Sequence, residues 1–213
     1  MRTHDYVYEH KPLPKDFLIA LIYNVCYIKL LDTQRKPYQE LAEWFIKNEP
    51  NFLDDDKPMP SIKNIADEFA TDYKKITKWI KDIYADIIEL NQKQEDKFIC
   101  NGQFLCEITF NYLGAKTRFN LGLNVLPRKG DHFEFDFISP VIGGRGFNVK
   151  SIYHFVENGK HKISIILSDE EVLLYYQLKK ERALLLGMIS HAEFLGLKTN
   201  SGKNRITNLD LNL

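Results

Sequence analysis

A switch in the spacing of apolar residues near residue 97 constrains this chain more than any other feature of its sequence. From 14 to 95 the apolar residues recur every three or four positions, the signature of amphipathic helices. From 98 to 167, β-branched and aromatic residues dominate, separated at short intervals by turn dipeptides, which is the signature of short strands. After 168 the helical spacing returns. The expected class is therefore α+β: a helical N-terminal domain over 1–96, a small antiparallel β barrel or sandwich over 97–167, and C-terminal helices with a polar tail over 168–213.

Within the first segment, Phe17 to Leu31 is the most apolar stretch, and it contains Asn24 and Lys29. It is too short to span a bilayer and reads as one helix that is buried or faces a partner. Pro37 suits a first helical position, and Tyr38, Leu41, Trp44 and Phe45 follow at helical spacing up to Asn48-Glu49-Pro50. After a loop rich in proline and aspartate, Ser61 is an N-cap candidate for a short helix carrying Ile62, Ile65, Ala66 and Phe69. A break at Ala70-Thr71-Asp72 precedes a longer helix with Ile76, Trp79, Ile80, Ile83 and Ile87 on one stripe.

In the β segment, Asn101-Gly102 and Asn158-Gly159 are strong two-residue hairpin signals, and Leu113-Gly114 is a weaker one. Phe133, Phe135 and Phe137 alternate with Glu134 and Asp136, as in a strand with its rings on one face. About six antiparallel strands are expected. Ser168 and Glu171 have capping-box spacing, and Val172, Leu173, Tyr176, Leu184 and Leu185 then supply an apolar helical surface, with a kink or stop at Gly187.

Lys and Arg balance Asp and Glu at 29 each, which excludes a uniformly basic histone-like binder but not a local basic patch. Charge is indeed regional, since 98–167 holds eight basic residues against five acidic ones. Cys26, Cys100 and Cys106 are odd in number and lack a CxxC, so they are expected to be small buried apolar residues in a reducing cytosol. The start, Met1-Arg2-Thr3-His4-Asp5, lacks the basic-then-apolar pattern of a signal peptide, and a cytoplasmic location follows as the expectation.

The segment Ser61 to Lys81 resembles the helix-turn-helix DNA-binding motif found in many bacterial regulators; the hairpin at Asn101-Gly102 is either a wing that would make it similar to a winged helix or the opening of the β domain. The motif would occupy about 61–90. Ile65-Ala66 matches the pair that packs the first helix on the second, Phe69 the apolar residue that ends the first helix, and Ile76 and Trp79 the anchors of the second. Ala70 stands where the family most often has glycine. The resemblance implies a regulatory or mobile-element-associated factor that contacts duplex DNA. Independently of it, steps of 100° per residue from Ile76 put Lys74, Lys78 and Lys81 near the opposite pole of the second helix. Lys75 and Thr77 flank them, and Tyr73 lies at the helix start, so these six residues are the candidate DNA contacts. Dimerisation through the Phe17 to Leu31 helix or the C-terminal helix would supply two half-sites.

Arg118, Arg128, Lys129 and Arg145 are candidates for a secondary nucleic-acid contact on the β segment. Gly143-Gly144-Arg145-Gly146 is not followed by Lys-Ser/Thr and is no Walker motif. His132, His154 and His161 lie in the β segment, the last two on opposite sides of the Asn158-Gly159 turn, where they can face one another. No HExxH, paired-cysteine, GxSxG or SxxK pattern accompanies them, so neither metal, cofactor nor catalytic residues are expected. Two other functions fit the same residues: a non-catalytic protein-interaction module in which the helix-turn-helix is only structural, and a nucleic-acid-processing enzyme built on the β-segment histidines.

Overall fold

The computed structural model describes residues 10–52, 54, 56–99, 104–157, 160–169, 181–187 and 190. It is an α+β chain in which N-terminal helices precede a curled five-stranded sheet. The apolar stretch expected as one helix is two, α1 (Pro14–Ile22) and α2 (Val25–Ile28). Asn24 makes the break: its side-chain amide donates to the Ala20 carbonyl at 2.9 Å, competing with the backbone ladder. Leu18, Ala20, Leu21, Ile22, Val25, Tyr27 and Ile28 are buried, so this segment spends its apolar surface inside its own chain.

Helix α3 (Gln39–Phe52) begins two residues after Pro37 and runs through Pro50, past the expected stop. A proline there removes the bond to the Ile46 carbonyl, which is tolerable in a last turn where Ile46 is exposed. Helices α4 (Ile62–Glu68) and α5 (Tyr73–Lys93) follow. Residues 98–99, expected in a strand, instead end a 3₁₀ turn over Glu95–Ile99. Two contacts account for this. Phe98 is pulled into the core against Tyr27 and Phe119, with ring centroids 5.4 Å from each. The Ile99 backbone lies so close to Gly122 that a Cβ there would meet the Ile99 carbonyl oxygen at 2.2 Å. Residues 101 and 102, the turn of the expected wing, lie outside the described residues, as does the expected Ser168/Glu171 capping box at Glu171.

The strands are β1 (Phe104–Tyr112), β2 (Ala115–Leu123), β3 (His132–Glu134), β4 (Gly146–Glu157) and β5 (Lys160–Ser168), in spatial order β2-β1-β5-β4-β3. The sheet is mixed rather than antiparallel, because β1 and β5 run parallel. Turn dipeptides specify only the sense of the pair they join, here β1/β2 and β4/β5. The β1/β5 pair is made across distant sequence, and no local signal encodes its direction. The result is a half-barrel with no second sheet among the described residues, in place of a closed barrel or sandwich. Leu113-Gly114, the weaker turn signal, closes the β1/β2 hairpin with φ of 46° and 87°, the positive pair that this tight turn demands. The alternation of phenylalanines stops being a strand at Glu134: Phe135 and Phe137 are both buried, Asp136–Ile138 is a 3₁₀ turn, and a short helix α6 (Ser139–Ile142) follows.

Helices and sheet share one core. Tyr27 contacts Phe98, Phe119 and Phe137, and Tyr84 stacks on Phe137 with centroids 4.8 Å apart. The Tyr84 hydroxyl donates to the Phe137 carbonyl at 2.7 Å, and burial pushes its phenol far above the usual range. At the end of α5, the buried Asn91 treats edge strand β2 as a neighbouring strand would. Its amide donates to the Asn120 carbonyl and its carbonyl oxygen accepts from the Asn120 N–H, both at 2.8 Å. These groups point away from β1, and pairing them blunts an otherwise open edge. Residues 181–185 are helical, and Gly187, at φ of 67°, ends that turn as expected.

Cys26 is exposed, contrary to expectation, because it lies on the outward side of α2; Cys106 is buried, and Cys100 is outside the described residues. Burial pushes the Cys106 thiol up to about 11, so it stays protonated at neutral pH. Iodoacetamide at about pH 8 should alkylate Cys26 and spare Cys106 until the chain is denatured, as peptide mass mapping would show. Asn91→Ala leaves two backbone groups of Asn120 without their partner and should cost about 2 kcal/mol in urea unfolding.

Candidate nucleic-acid interface

Helix α4 starts where its cap dictates: the Ser61 hydroxyl oxygen accepts from the Asn64 N–H at 3.1 Å. Its end is equally defined. The Thr71 N–H bonds the Ala66 carbonyl at 3.0 Å and the Ala70 N–H bonds that of Asp67 at 3.1 Å, the paired bonds of a Schellman termination. Such a termination needs a left-handed residue, and Ala70 supplies it at φ of 46°. The alanine thus occupies the conformation for which glycine is normally chosen. Asp72 then caps α5, its carboxylate accepting from the Lys74 N–H at 3.2 Å.

Ile62, Ile65 and Ala66 of α4, and Ile76, Ile80, Ile83, Tyr84 and Ile87 of α5, are buried. Trp79 is half-buried, on the margin of the expected stripe. Behind the pair, the Trp44 indole of α3 donates to Glu68 at 2.8 Å and packs on Phe45, Phe52 and Phe69. The two helices and their turn are therefore backed by a third helix.

The candidate contacts are not equivalent. Tyr73, Lys74, Lys75, Lys78 and Lys81 are exposed. Thr77 turns inward: its residue is half-buried and its hydroxyl is shut off from solvent, with no hydrogen-bond partner among the described residues. The Lys75 ammonium sits 4.7 Å from the centroid of the Trp79 ring and that of Lys81 5.5 Å from the Phe17 ring, which restrains both side chains along the helix. Lys74 and Lys78 project without any such contact to the described residues. The stretch Tyr73 to Lys81 carries four lysines and no carboxylate. The acidic residues come later on α5: Asp82 is half-buried directly after Lys81, Asp86 pairs with Lys36 at 3.0 Å and accepts from the Tyr38 hydroxyl, and Glu89 pairs with Lys93. Positive charge is consequently concentrated on the first half of α5.

The four candidates on the β segment are dispersed. Arg118 lies on edge strand β2, 3.8 Å from Glu107, while Arg145 lies beside the opposite edge strand β3, 3.9 Å from Asp136. Arg128 and Lys129 occupy the turn before β3, where the Asp131 carboxylate accepts from the Arg128 N–H at 2.7 Å. Among the histidines, His154 and His161 do meet across the β4/β5 hairpin, with Nδ1 and Nε2 3.0 Å apart, whereas His132 contacts Asn148 and Glu134. No group of three or more His, Cys, Asp or Glu among the described residues is arranged to hold a metal. A cleft of about 530 Å³ lined by Glu95, Asp96, Glu107, Phe155, His161 and Lys162 has no counterpart in the sequence reading. Its walls come from the 3₁₀ turn and strands β1, β2, β4 and β5, and the non-local β1/β5 pairing brings the two hairpins together.

Family models, curated proteins and solved structures all give no match to this chain. No helix among the described residues is long and apolar enough to cross a membrane.

Ala70→Gly removes a Cβ from a left-handed position without touching the bonds of the turn, so it should raise stability by about 1 kcal/mol in denaturant unfolding. A loss of stability would mean that the turn is not built as described.

Proposed function

We propose that this chain binds duplex DNA through the α4-turn-α5 unit, with the exposed face of α5 laid in the major groove. The observation that carries the reading is the charge arrangement of Tyr73 to Lys81: four exposed lysines, no carboxylate, and no ion pair with the described residues, on a helix whose opposite stripe is buried. Ammonium groups without a carboxylate partner keep their attraction for phosphate, since no ion pair with the described residues must be broken first.

Contact roles follow from side-chain freedom. Lys74 and Lys78 reach phosphates on either side of the groove, and Lys75 and Lys81 add to the field from their aromatic rests. Tyr73, at the exposed start of α5, is placed to meet a sugar or phosphate by its hydroxyl. Lysine is a point charge rather than a bidentate fork, and α5 has no arginine, so the binding is stronger in affinity than in sequence discrimination. Two copies bound to adjacent half-sites would raise both.

Fluorescence anisotropy with random duplex DNA at about 50 and 200 mM salt tests this. The wild-type chain should bind with steep salt dependence. The Lys74→Ala, Lys78→Ala, Lys81→Ala variant should bind several-fold to tens of times more weakly, its slope of log K against log salt reduced by up to about 0.9 per phosphate contact removed. Unchanged affinity in the folded triple variant would overturn the proposal.

A further inference from the structure

His154 and His161 stand outside the proposed DNA-binding unit, and their geometry asks for its own explanation. The register pairs His154 with Ile163 and Val156 with His161, so the two histidines are diagonal neighbours on one face of the β4/β5 hairpin. Their rings lie 20° from parallel with centroids 5.2 Å apart, while Nδ1 of His154 and Nε2 of His161 are 3.0 Å apart. A ring nitrogen lies roughly 1.1 Å from its centroid, so this separation is nearly all accounted for by two rings meeting edge to edge, nitrogen toward nitrogen. The two imidazoles therefore lie in nearly a common plane, with these nitrogens at hydrogen-bond distance. Both side chains are exposed, and neither ring has another partner among the described residues. A hydrogen bond between two exposed side chains contributes little to folding, which leaves the convergence of the two nitrogens unexplained by stability.

We propose that this pair is a two-histidine site for a divalent ion of borderline softness, such as Zn²⁺, bound through Nδ1 of His154 and Nε2 of His161. The ion takes the place of the contact between the two ring nitrogens. Zinc–nitrogen bonds of about 2.0–2.1 Å at a tetrahedral angle span about 3.3 Å between donors, so the nitrogens separate by a few tenths of an ångström and each ring turns by roughly 35° to aim its lone pair at the ion. Exposed rings make that adjustment freely, and water completes the coordination. The adjoining cleft favours a cation as well, since His161 shares its lining with the carboxylates of Glu95, Asp96 and Glu107, opposed by Lys162 in the lining and by Arg118 3.8 Å from Glu107. Imidazole donors select zinc, copper or nickel over magnesium or calcium, which require oxygen ligands.

The test is a Zn²⁺ titration of the full chain, free of any histidine tag, followed through its imidazole NMR signals. The expected result is that His154 and His161 shift together while His132 does not. His154→Ala and His161→Ala should each weaken binding by at least about tenfold, with Mg²⁺ producing no shift. Both side chains are exposed, so the variants should keep the wild-type amide spectrum, which the same experiment records. Retention of zinc affinity in the double variant, or unmoved His154 and His161 signals at about 1 mM Zn²⁺, would overturn the site.

Discussion

The aromatic junction at which Tyr27 and Tyr84 meet Phe119 and Phe137 is the contact on which the rest of the structure depends. Tyr27 comes from α2, Tyr84 from α5, Phe119 from β2 and Phe137 from the 3₁₀ turn after β3, so four distant parts of the chain converge on a few rings. Aromatic side chains bury large areas and prefer edge or offset geometries, which gives such a junction both energy and a defined shape. Two polar contacts orient it: the buried Tyr84 hydroxyl on the Phe137 carbonyl, and Asn91 on the edge of β2. Both belong to α5. The second half of that helix is consequently fixed to the sheet, and the first half is carried as a rigid extension of it.

This division explains how charge is distributed along one helix. Where α5 is embedded, two of its three carboxylates are used internally, Asp86 by Lys36 and Tyr38 and Glu89 by Lys93. Where it emerges, from Tyr73 to Lys81, the only charged side chains are lysines, and they face outward. A net charge of zero for the whole chain thus conceals a polarised element, and the functional reading rests on that local arrangement rather than on the total. The Schellman termination of α4 and the Trp44 packing behind it hold the shorter helix against the longer one, giving the pair a fixed geometry.

Much of this was legible in the sequence wherever the information is local. The Ser61 cap, the break at Ala70 to Asp72 and the apolar stripe of α5 each follow from residues within a turn or two of one another. The β4/β5 hairpin and the meeting of His154 with His161 follow from one turn signal. What escaped were outcomes set by distant partners. Phe98 reads as a strand residue but is claimed by Tyr27 and Phe119, Asn24 divides an otherwise continuous apolar helix, and the parallel β1/β5 pairing has no dipeptide to announce it. Helical angle puts Thr77 on the flank of the lysine face, yet its hydroxyl lies inside, because the angle from one stripe residue does not describe how Trp79 and its neighbours widen the buried margin.

The central claim is that the emergent half of α5 is the surface that meets duplex DNA, carried by a half that does not move. Hydrogen–deuterium exchange of the chain with and without a random duplex at low salt tests it directly. The account predicts new protection confined to α4, the turn at Ala70 to Asp72 and the first half of α5, with the amides of Ile83 to Asn91 slow in both states. Protection centred on the sheet with α5 unaffected, or none at all, would contradict it.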